Sequence, residues 1–281
     1  MLRQLSPLVR CLTAPNGNRM TGPGTNSYLL GREQLVLIDP GPVIDSHIAM
    51  LLDACGEQLR WILVTHTHPD HSPAARVIAE RTGAELIGCV MDDDGHQDRS
   101  FQVAENLRHG QLLETPEFTL EAIHTPGHVA NQFCYLLLEE GLLFSGDHIM
   151  EGSSVVIIPP SGDMGAYIRS TKSLENYPLQ AIAPGHGNLL HSPREVLKKI
   201  VEHRLGREQK VIRALMSLGE SGIDRLLPEV YQDVDPTLLP MARLSLWAHL
   251  LKLEQDGRAN KRIVGHWAFG EERWVSVGND Q

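Results

Sequence analysis

The sequence lacks three features that mark particular classes of protein: cysteine pairs, long apolar runs and a secretory leader. Its four cysteines are scattered and form no Cys-x-x-Cys pair, which indicates buried thiols in a reducing compartment. No apolar run approaches the ~20 residues that span a bilayer. The N-terminal segment does not have the pattern of a secretory signal. We therefore expect a cytoplasmic protein without a membrane partner.

An excess of basic charge is also missing. The net charge is −10, to which residues 1–200 contribute −9 and residues 201–281 contribute −1. Proteins that bind nucleic acids tightly and without sequence preference normally present a basic surface. The composition therefore counts against such binding, although it does not exclude nuclease chemistry.

The most informative segment is residues 65–71, which read Thr-His-Thr-His-Pro-Asp-His directly after the apolar run 61–64. Imidazole nitrogens and carboxylate oxygens are the usual protein ligands of hydrolytic zinc. Four such side chains within six positions cannot all reach one ion, so the spacing predicts a site for two metal ions. The four candidate ligands are His66, His68, Asp70 and His71.

Three later candidate ligands each follow a short apolar run and a turn containing glycine. Such runs, bounded by Gly and Pro, are typical of buried strands, and glycine permits the tight turn that follows. His128 follows the run 120–123, Asp147 follows 142–144, and His186 follows 181–183. Each alone is weak evidence, whereas the full set in this order is strong evidence for a metal site.

With these motifs, the sequence closely resembles the metallo-β-lactamase superfamily over roughly residues 8 to 205. The resemblance implies two zinc ions per chain, with iron or manganese as alternatives. It also implies three ligands at the first ion, three at the second and one bridging residue. These are His66, His68 and His128 for the first ion, Asp70, His71 and His186 for the second, and Asp147 for the bridge.

Two further residues have a predicted role in the site, and each also has a structural alternative. Asp39 matches a superfamily aspartate that orients metal-bound imidazoles; the alternative is a turn-forming aspartate before Pro-Gly. His148 follows the predicted bridging residue, and we hypothesise that it contacts or protonates the substrate. Its alternative is a packing histidine.

The resemblance narrows to the β-lactamase-like protein 2 group through the segments 21–30, 145–152 and 159–164. Members of that group carry a C-terminal winged-helix-like domain, and the best-studied kind cleaves single-stranded RNA. His148 stands where we associate cysteine with the animal proteins, so the substrate does not transfer directly.

The predicted fold class is α+β: a four-layer αββα metallo-β-lactamase sandwich over residues 1–205, followed by a small winged-helix-like domain over residues 206–281. Periodicity predicts one long helix over 193–218, and two wing strands over 263–267 and 274–277. The acidic run 92–94 is interpreted as a solvated loop. With near-neutral charge, the C-terminal domain is better interpreted as a cap over the active site than as a nucleic-acid dock.

The predicted enzyme is a metal-dependent hydrolase in which a hydroxide bridging two zinc ions attacks the substrate. Its expected catalytic residues are Asp70, Asp147 and His148. The expected substrate is single-stranded RNA or a small molecule, and a homodimer is an option that the sequence leaves open.

Several functions compete for this ligand set. One is a phosphodiesterase that acts as an endoribonuclease, and another is an ester or thioester hydrolase similar to glyoxalase II. A persulfide dioxygenase with a single iron shares much of the pattern. Flavodiiron reductases are opposed by His68 and by the missing flavin domain. β-Lactamase activity is not expected without a secretory signal, and a non-catalytic nucleic-acid regulator is opposed by the intact ligand set.

Overall fold

Two six-stranded sheets form the centre of the molecule. In the computed structural model, which describes residues 2–92, 94–152, 154–264 and 271–277, the first sheet keeps its strands in chain order. The strands are β1 (Arg3–Gln4), β2 (Val9–Thr13), β3 (Asn26–Leu30), β4 (Leu35–Ile38), β5 (Leu59–Leu63) and β6 (Glu85–Ile87). The first four pair antiparallel and the last three parallel. The parallel pairs place the carboxyl ends of β4 and β5 at one edge.

The second sheet has the order β12-β11-β10-β9-β8-β7. Its strands are β7 (Gln111–Glu114), β8 (Thr119–His124), β9 (Phe133–Leu137), β10 (Leu142–Gly146), β11 (Ala181–Pro184) and β12 (Leu190–His191). β10 and β11 pair parallel, whereas the other neighbours pair antiparallel. The carboxyl ends of β10 and β11 therefore also meet at one edge of their sheet.

The sheets pack face to face because their central strands are apolar on both sides. A core that includes Tyr28, Ile38, Tyr135 and Phe144 lies between them. A second core joins the outer face of the first sheet to α1 (Asp45–Cys55) and α2 (Pro73–Thr82). A third core joins the outer face of the second sheet to the start of α4 (Pro193–Leu218). This arrangement confirms the predicted four-layer αββα sandwich.

The C-terminal region forms its own core around α4, α5 (Ile223–Val230), α6 (Leu239–Gln255) and a hairpin. The hairpin consists of β13 (Ala259–Val264) and β14 (Glu271–Ser276), and Trp274 of β14 is fully buried in this core. Three helices and a two-stranded ribbon confirm the predicted winged-helix shape. Residues 265–267 of the predicted wing, and residue 93 of the predicted acidic loop, lie outside the described residues.

One helix connects the two regions. α4 has the bounds that periodicity predicts, and it crosses the predicted division at residues 205 and 206 without a break. The division itself stays a prediction. A further helix, α3 (Met164–Ser173), is capped by the Asp163 carboxylate, which accepts from the backbone N–H of Ala166, and it contacts both α4 and α6.

Within the described ranges, no helix is both long enough and apolar enough to cross a bilayer.

Candidate metal centre

Parallel strand pairs in both sheets deliver most of the predicted ligands. Asp39 follows β4, and the loop 65–71 follows β5 in the first sheet. Asp147 follows β10, and His186 follows β11 in the second sheet. Because parallel strands end at the same edge, side chains from four distant segments meet there. His128 joins them from the loop between β8 and β9.

Three imidazoles form the first group, called here the histidine group: His66, His68 and His128. The Nε2 atom of His66 lies 2.9 Å from Nδ1 of His68, and that same Nδ1 lies 3.1 Å from Nε2 of His128. His66 is fully buried, whereas the other two are half-buried. Three ring nitrogens therefore converge on one small volume.

Hydrogen bonds set which nitrogen of two of these rings carries the proton. His128 Nδ1 lies 2.7 Å from the backbone carbonyl of Val156, which can only accept, so this nitrogen donates. His66 Nδ1 lies 3.1 Å from Thr65 Oγ1, which itself donates to Asp39 and so accepts from the ring. Both neutral rings therefore present an unprotonated Nε2 to the centre of the group.

The second group, called here the carboxylate group, contains Asp70, His71, Asp147 and His186. Its imidazoles are oriented in the same way. His71 Nδ1 donates to the Asp39 carboxylate at 2.9 Å, and His186 Nδ1 donates to the carbonyl of Gly24 at 3.2 Å. Their Nε2 atoms each lie 3.3 Å from Oδ1 of Asp147. The Asp70 Oδ2 atom lies 3.3 Å from His186 Nε2.

Asp147 lies between the two groups. Its Oδ1 atom faces the two histidines of the carboxylate group, while its Oδ2 atom lies 3.8 Å from Nε2 of His128 in the histidine group. A carboxylate that offers one oxygen to each group has the placement expected of a bridging ligand. The structure thus brings together all seven predicted metal ligands.

Asp39 is not one of the predicted ligands, but its carboxylate holds the ligand loop and one ligand in place. Its Oδ1 accepts from the backbone N–H of Thr65 at 2.7 Å, and its Oδ2 accepts from Thr65 Oγ1 at 2.8 Å and from His71 Nδ1. Its φ of 49° is a left-handed conformation that aspartate tolerates better than most residues. The orienting interpretation of Asp39 is therefore favoured over a simple turn residue, because one carboxylate fixes both a ligand and the start of the ligand loop.

The two groups differ in protonation. Burial, and then the neighbouring imidazoles, hold the pKa of His66 well below its usual range. Burial also lowers the pKa of His68, to about 4. In the carboxylate group, burial favours the neutral form of His186, but the charge of Asp147 and the close approach of the Asp147 and Asp70 carboxylates, each 3.3 Å from its Nε2, outweigh burial and raise the pKa to about 9. The same attraction from His71 and His186 outweighs burial and holds the pKa of Asp147 well below its usual range.

Two glycines allow the close approach that this packing needs. Gly146 has a φ of 49°, and a Cβ atom there would collide with Thr65 Oγ1. A Cβ atom at Gly185 would lie 2.8 Å from Oδ1 of Asp147 and 2.8 Å from the His71 ring. Larger residues at either position would push the ligand loops of the two sheets apart.

His148 lies outside both groups. It is fully buried, its Nε2 atom lies 3.2 Å from Thr171 Oγ1, and its ring packs against Tyr167 at a centroid distance of 4.9 Å. Burial, followed by the charge of His128, lowers its pKa to about 3. These contacts favour the packing alternative, and the catalytic role of His148 stays a prediction.

Sequence reasoning missed three groups that orient the ligands. Two are backbone carbonyls, of Gly24 and Val156, which no side-chain pattern reveals. The third is Thr65, whose hydroxyl relays a hydrogen bond from His66 to Asp39. Its position directly before the ligand motif was the only available signal.

The donor set fits a divalent metal. His71 Nε2 and Asp147 Oδ1 are buried without a hydrogen-bond partner, although buried polar atoms are normally satisfied. The unprotonated Nε2 atoms of His66 and His128 both face Nδ1 of His68, which has at most one proton to share between them. At least one lone pair is therefore poorly compensated unless a cation lies between the rings. Nitrogen and carboxylate donors in these numbers suit zinc, and iron or manganese are also accommodated.

Comparisons with known proteins agree with this geometry. Residues 20–186 match the family model described as the metallo-beta-lactamase superfamily, and residues 223–267 match the beta-lactamase associated winged helix domain. A beta-lactamase-like protein 2 homolog from Drosophila melanogaster is 30% identical over 91% of this chain and 90% of its own length. An atrochrysone carboxyl ACP thioesterase from Aspergillus chevalieri is 28% identical over 99% of this chain and 90% of its own length.

A solved structure also shares the fold. A metallo-beta-lactamase family protein from Thermus thermophilus superposes with a TM-score of 0.78 at 20% identity, covering 98% of this chain and 100% of its own. The family matches confirm the prediction of a hydrolase-type enzyme with candidate metal ligands. The chain belongs to the metallo-beta-lactamase superfamily, in which it carries a C-terminal beta-lactamase associated winged helix domain and has relatives named beta-lactamase-like protein 2.

Proposed function

We propose that this chain is a binuclear, zinc-dependent hydrolase. The observation that supports this most strongly is the placement of Asp147, with one carboxylate oxygen toward each of two ligand groups. A single-ion enzyme would not need a second complete group on the far side of that carboxylate. The histidine group would hold the first ion and the carboxylate group the second.

When bound, two divalent ions would lower the pKa of a water molecule toward ~7 and polarise the oxygen of the scissile bond. The protein residues would position the two ions and neutralise part of their charge. The side chain of Asp70 is 30% exposed, so its carboxylate can also accept a hydrogen bond from the attacking water. Asp39 and the carbonyls of Gly24 and Val156 keep the imidazoles in the tautomer that leaves Nε2 free.

For the substrate, we propose a small ester or thioester. Eight of the eleven basic side chains in residues 201–281 form ion pairs, so their charge is already compensated. Examples are Arg207 and Lys210, which share Asp233 at 2.7 and 3.0 Å. Phosphate contacts need cations that are available to the ligand. This pairing supports a cap rather than a nucleic-acid dock, and the thioesterase relative adds support for carbonyl chemistry.

Single-stranded RNA is the second candidate. It is supported by the beta-lactamase-like protein 2 homologs, which match over 91% and 98% of this chain, together with the winged helix domain. In either case the proposed location is the cytoplasm, where the four free thiols would stay reduced.

A substrate panel on metal-reconstituted protein tests these proposals. It contains an acyl thioester, a carboxylic ester, a phosphodiester chromophore, a single-stranded RNA oligomer and a β-lactam. His68→Ala removes a ligand, while His191→Ala, an exposed histidine outside the centre, is the matched control. We expect thioester turnover that His68→Ala abolishes and His191→Ala leaves intact.

Other outcomes separate the alternatives. Turnover of the RNA oligomer alone would replace the thioester proposal with the endoribonuclease. A single bound iron, with oxygen consumed in the presence of a persulfide, would replace the binuclear hydrolase with a dioxygenase. No turnover of any substrate by protein that holds two ions would contradict the thioester and RNA proposals together.

A further inference from the structure

The segment 154–158 lies between the histidine group and the C-terminal helices. It forms neither helix nor strand, so its backbone is held by other contacts. The carbonyl of Val156 accepts from Nδ1 of His128 at 2.7 Å. The carbonyl of the preceding residue, Val155, accepts from Nη2 of Arg204 on α4. Two consecutive carbonyls thus connect a ligand of the metal centre with a C-terminal helix.

Arg204 is a costly residue to place here. It is 3% exposed, and within the described ranges no carboxylate lies at ion-pair distance from it. A buried cation is unfavourable unless hydrogen bonds or a π system compensate it. Besides the Val155 carbonyl, its guanidinium meets the Tyr167 ring, with the guanidinium carbon 5.1 Å from the ring centroid.

Tyr167 connects Arg204 with the chain next to Asp147. Its hydroxyl donates to the backbone carbonyl of His148 at 2.9 Å, directly after the bridging Asp147. Arg204 therefore contacts two supports at once: the segment that orients His128, and the tyrosine that holds the chain next to Asp147. Apolar packing reinforces this, because Val155 is buried in one cluster with Val201 of α4 and Ala248 of α6.

We propose that Arg204 is a positioning residue for the metal centre, through which the C-terminal helices hold His128 in its ligand orientation. This inference rests on the proposed binuclear site and adds a role for α4, the helix that continues from the catalytic domain into the winged-helix region. A carbonyl that accepts from a ligand imidazole fixes both ring orientation and tautomer. Releasing Val155 from Arg204 would let the Val156 carbonyl move, and Nε2 of His128 would lose its fixed direction.

The test measures metal binding rather than turnover. Metal-free protein is titrated with Co²⁺, and the visible absorption reports each equivalent that binds. For wild type we expect two equivalents. For Arg204→Met, which keeps the length of the side chain but not its donors, we expect one ion to bind about 10–100-fold more weakly, the usual effect of losing a ligand's partner. Arg204→Lys, which retains a donor, should recover part of the affinity.

Two controls separate positioning from general stability. Arg207→Met removes a buried arginine of the same helix whose partners are Asp233 and the Val230 carbonyl, so it should lower the melting temperature and leave both Co²⁺ affinities unchanged. Arg213→Ala removes an exposed arginine of α4 and should change neither. A double-mutant cycle with His128→Ala then asks whether Arg204 acts through His128, since its effect should vanish in that background.

The outcomes are distinct. Wild-type affinity for both ions in Arg204→Met, or equal losses in Arg204→Met and Arg207→Met, would overturn the proposal. Additive effects of Arg204→Met and His128→Ala would do the same. If Arg204→Met does not fold, Arg204→Lys with undiminished affinity in the first equivalent and in the second overturns it. A wild-type protein that binds fewer than two ions would refute the binuclear site itself, and this inference with it.

Discussion

The two ligand groups of the centre are built from different chemistry, although they lie side by side and share Asp147. The histidine group contains imidazoles alone, and burial lowers the pKa of each of its rings. The carboxylate group mixes two imidazoles with two aspartates, and the attraction between them raises the pKa of His186 to about 9 despite burial. Without metal, two unprotonated Nε2 atoms of the first group face a single ring nitrogen, Nδ1 of His68, whereas the second group can compensate its charges by binding protons.

This difference shows how one site can bind two ions whose affinities depend unequally on pH. Protons compete little with an ion for a group of neutral imidazoles, because each ring already has one unprotonated nitrogen near pH 7. A group of histidines and carboxylates must release protons before an ion enters. The aspartates supply charge for the ion, but in the metal-free protein they also stabilise the protons that the ion displaces.

Removing Asp147 should have the largest effect, since it is the residue on which the two groups converge. For Asp147→Ala we expect both ions to bind more weakly and hydrolysis to fall by about 10³-fold or more, which corresponds to losing several kcal/mol of transition-state stabilisation. Metal content by elemental analysis and kcat/KM on the best substrate of the panel measure this. Asp163→Ala, which removes a helix cap outside the centre, is the control. Loss of only one ion would show that Asp147 belongs to one group.

Lowering the pH should separate the groups. The raised pKa of His186, about 9, means that this ring is protonated at pH 7 in metal-free protein, so metal affinity of the carboxylate group should rise roughly tenfold per pH unit up to about 9. The pKa of His68 is lowered to about 4, so affinity of the histidine group should stay nearly flat above pH ~6. Competition with a chromophoric chelator between pH 6 and 9 measures both. Parallel slopes for the two ions would contradict the distinction.

Weakening the support beneath the groups should have a smaller effect. Asp39→Asn keeps the shape but offers one acceptor oxygen where Asp39 now receives three hydrogen bonds. We expect metal affinity to fall about 10–100-fold, with the carboxylate group affected more because His71 loses its charged partner. The exposed Asp53→Asn on α1 is the matched control. An equal loss at both groups would place the main role of Asp39 at Thr65.

Substituting His148 should have the smallest effect on the chemistry. Because its ring packs against Tyr167 and lies outside both groups, His148→Ala should retain both ions and lower turnover by less than about tenfold, while the melting temperature falls. Calorimetry and single-turnover kinetics measure the two effects. A large loss of turnover with both ions retained would instead support the catalytic role predicted from the sequence.

Much of the fold could be predicted because its signals are local. The apolar run 142–144 lies within the strand β10, and α4 begins at Pro193 and ends at Leu218 as its periodicity predicts. No strand is predicted at β2 or at the short β12. β12 has only two residues, and its ladder to β11 comes from tertiary pairing.

The site divides in the same way. His66, His68, Asp70 and His71 are close in sequence and carry a recognisable motif, so their meeting could be predicted. The support of these ligands could not, because it depends on backbone carbonyls whose position only the folded chain determines. Val156 is the clearest case: its side chain has no role in the hydrogen bond that orients His128. Val155, the residue before Val156, is a similar case. Its carbonyl accepts a hydrogen bond from Arg204, which lies 49 positions away in the sequence.

The helix that carries Arg204 has a consequence for any attempt to separate the two regions. α4 has 26 residues, which at ~1.5 Å per residue makes a rod of about 39 Å. A chain cut at residue 205 would keep half of this rod and leave Arg204 in a final turn that is prone to fray. It would also lose Ala248, which shares a buried cluster with Val155. The shortened protein would contain every metal ligand, yet the loop behind them would no longer be anchored. Minimal enzymes made from this scaffold should therefore retain α4 to Leu218 together with α6, rather than end at the predicted division after residue 205.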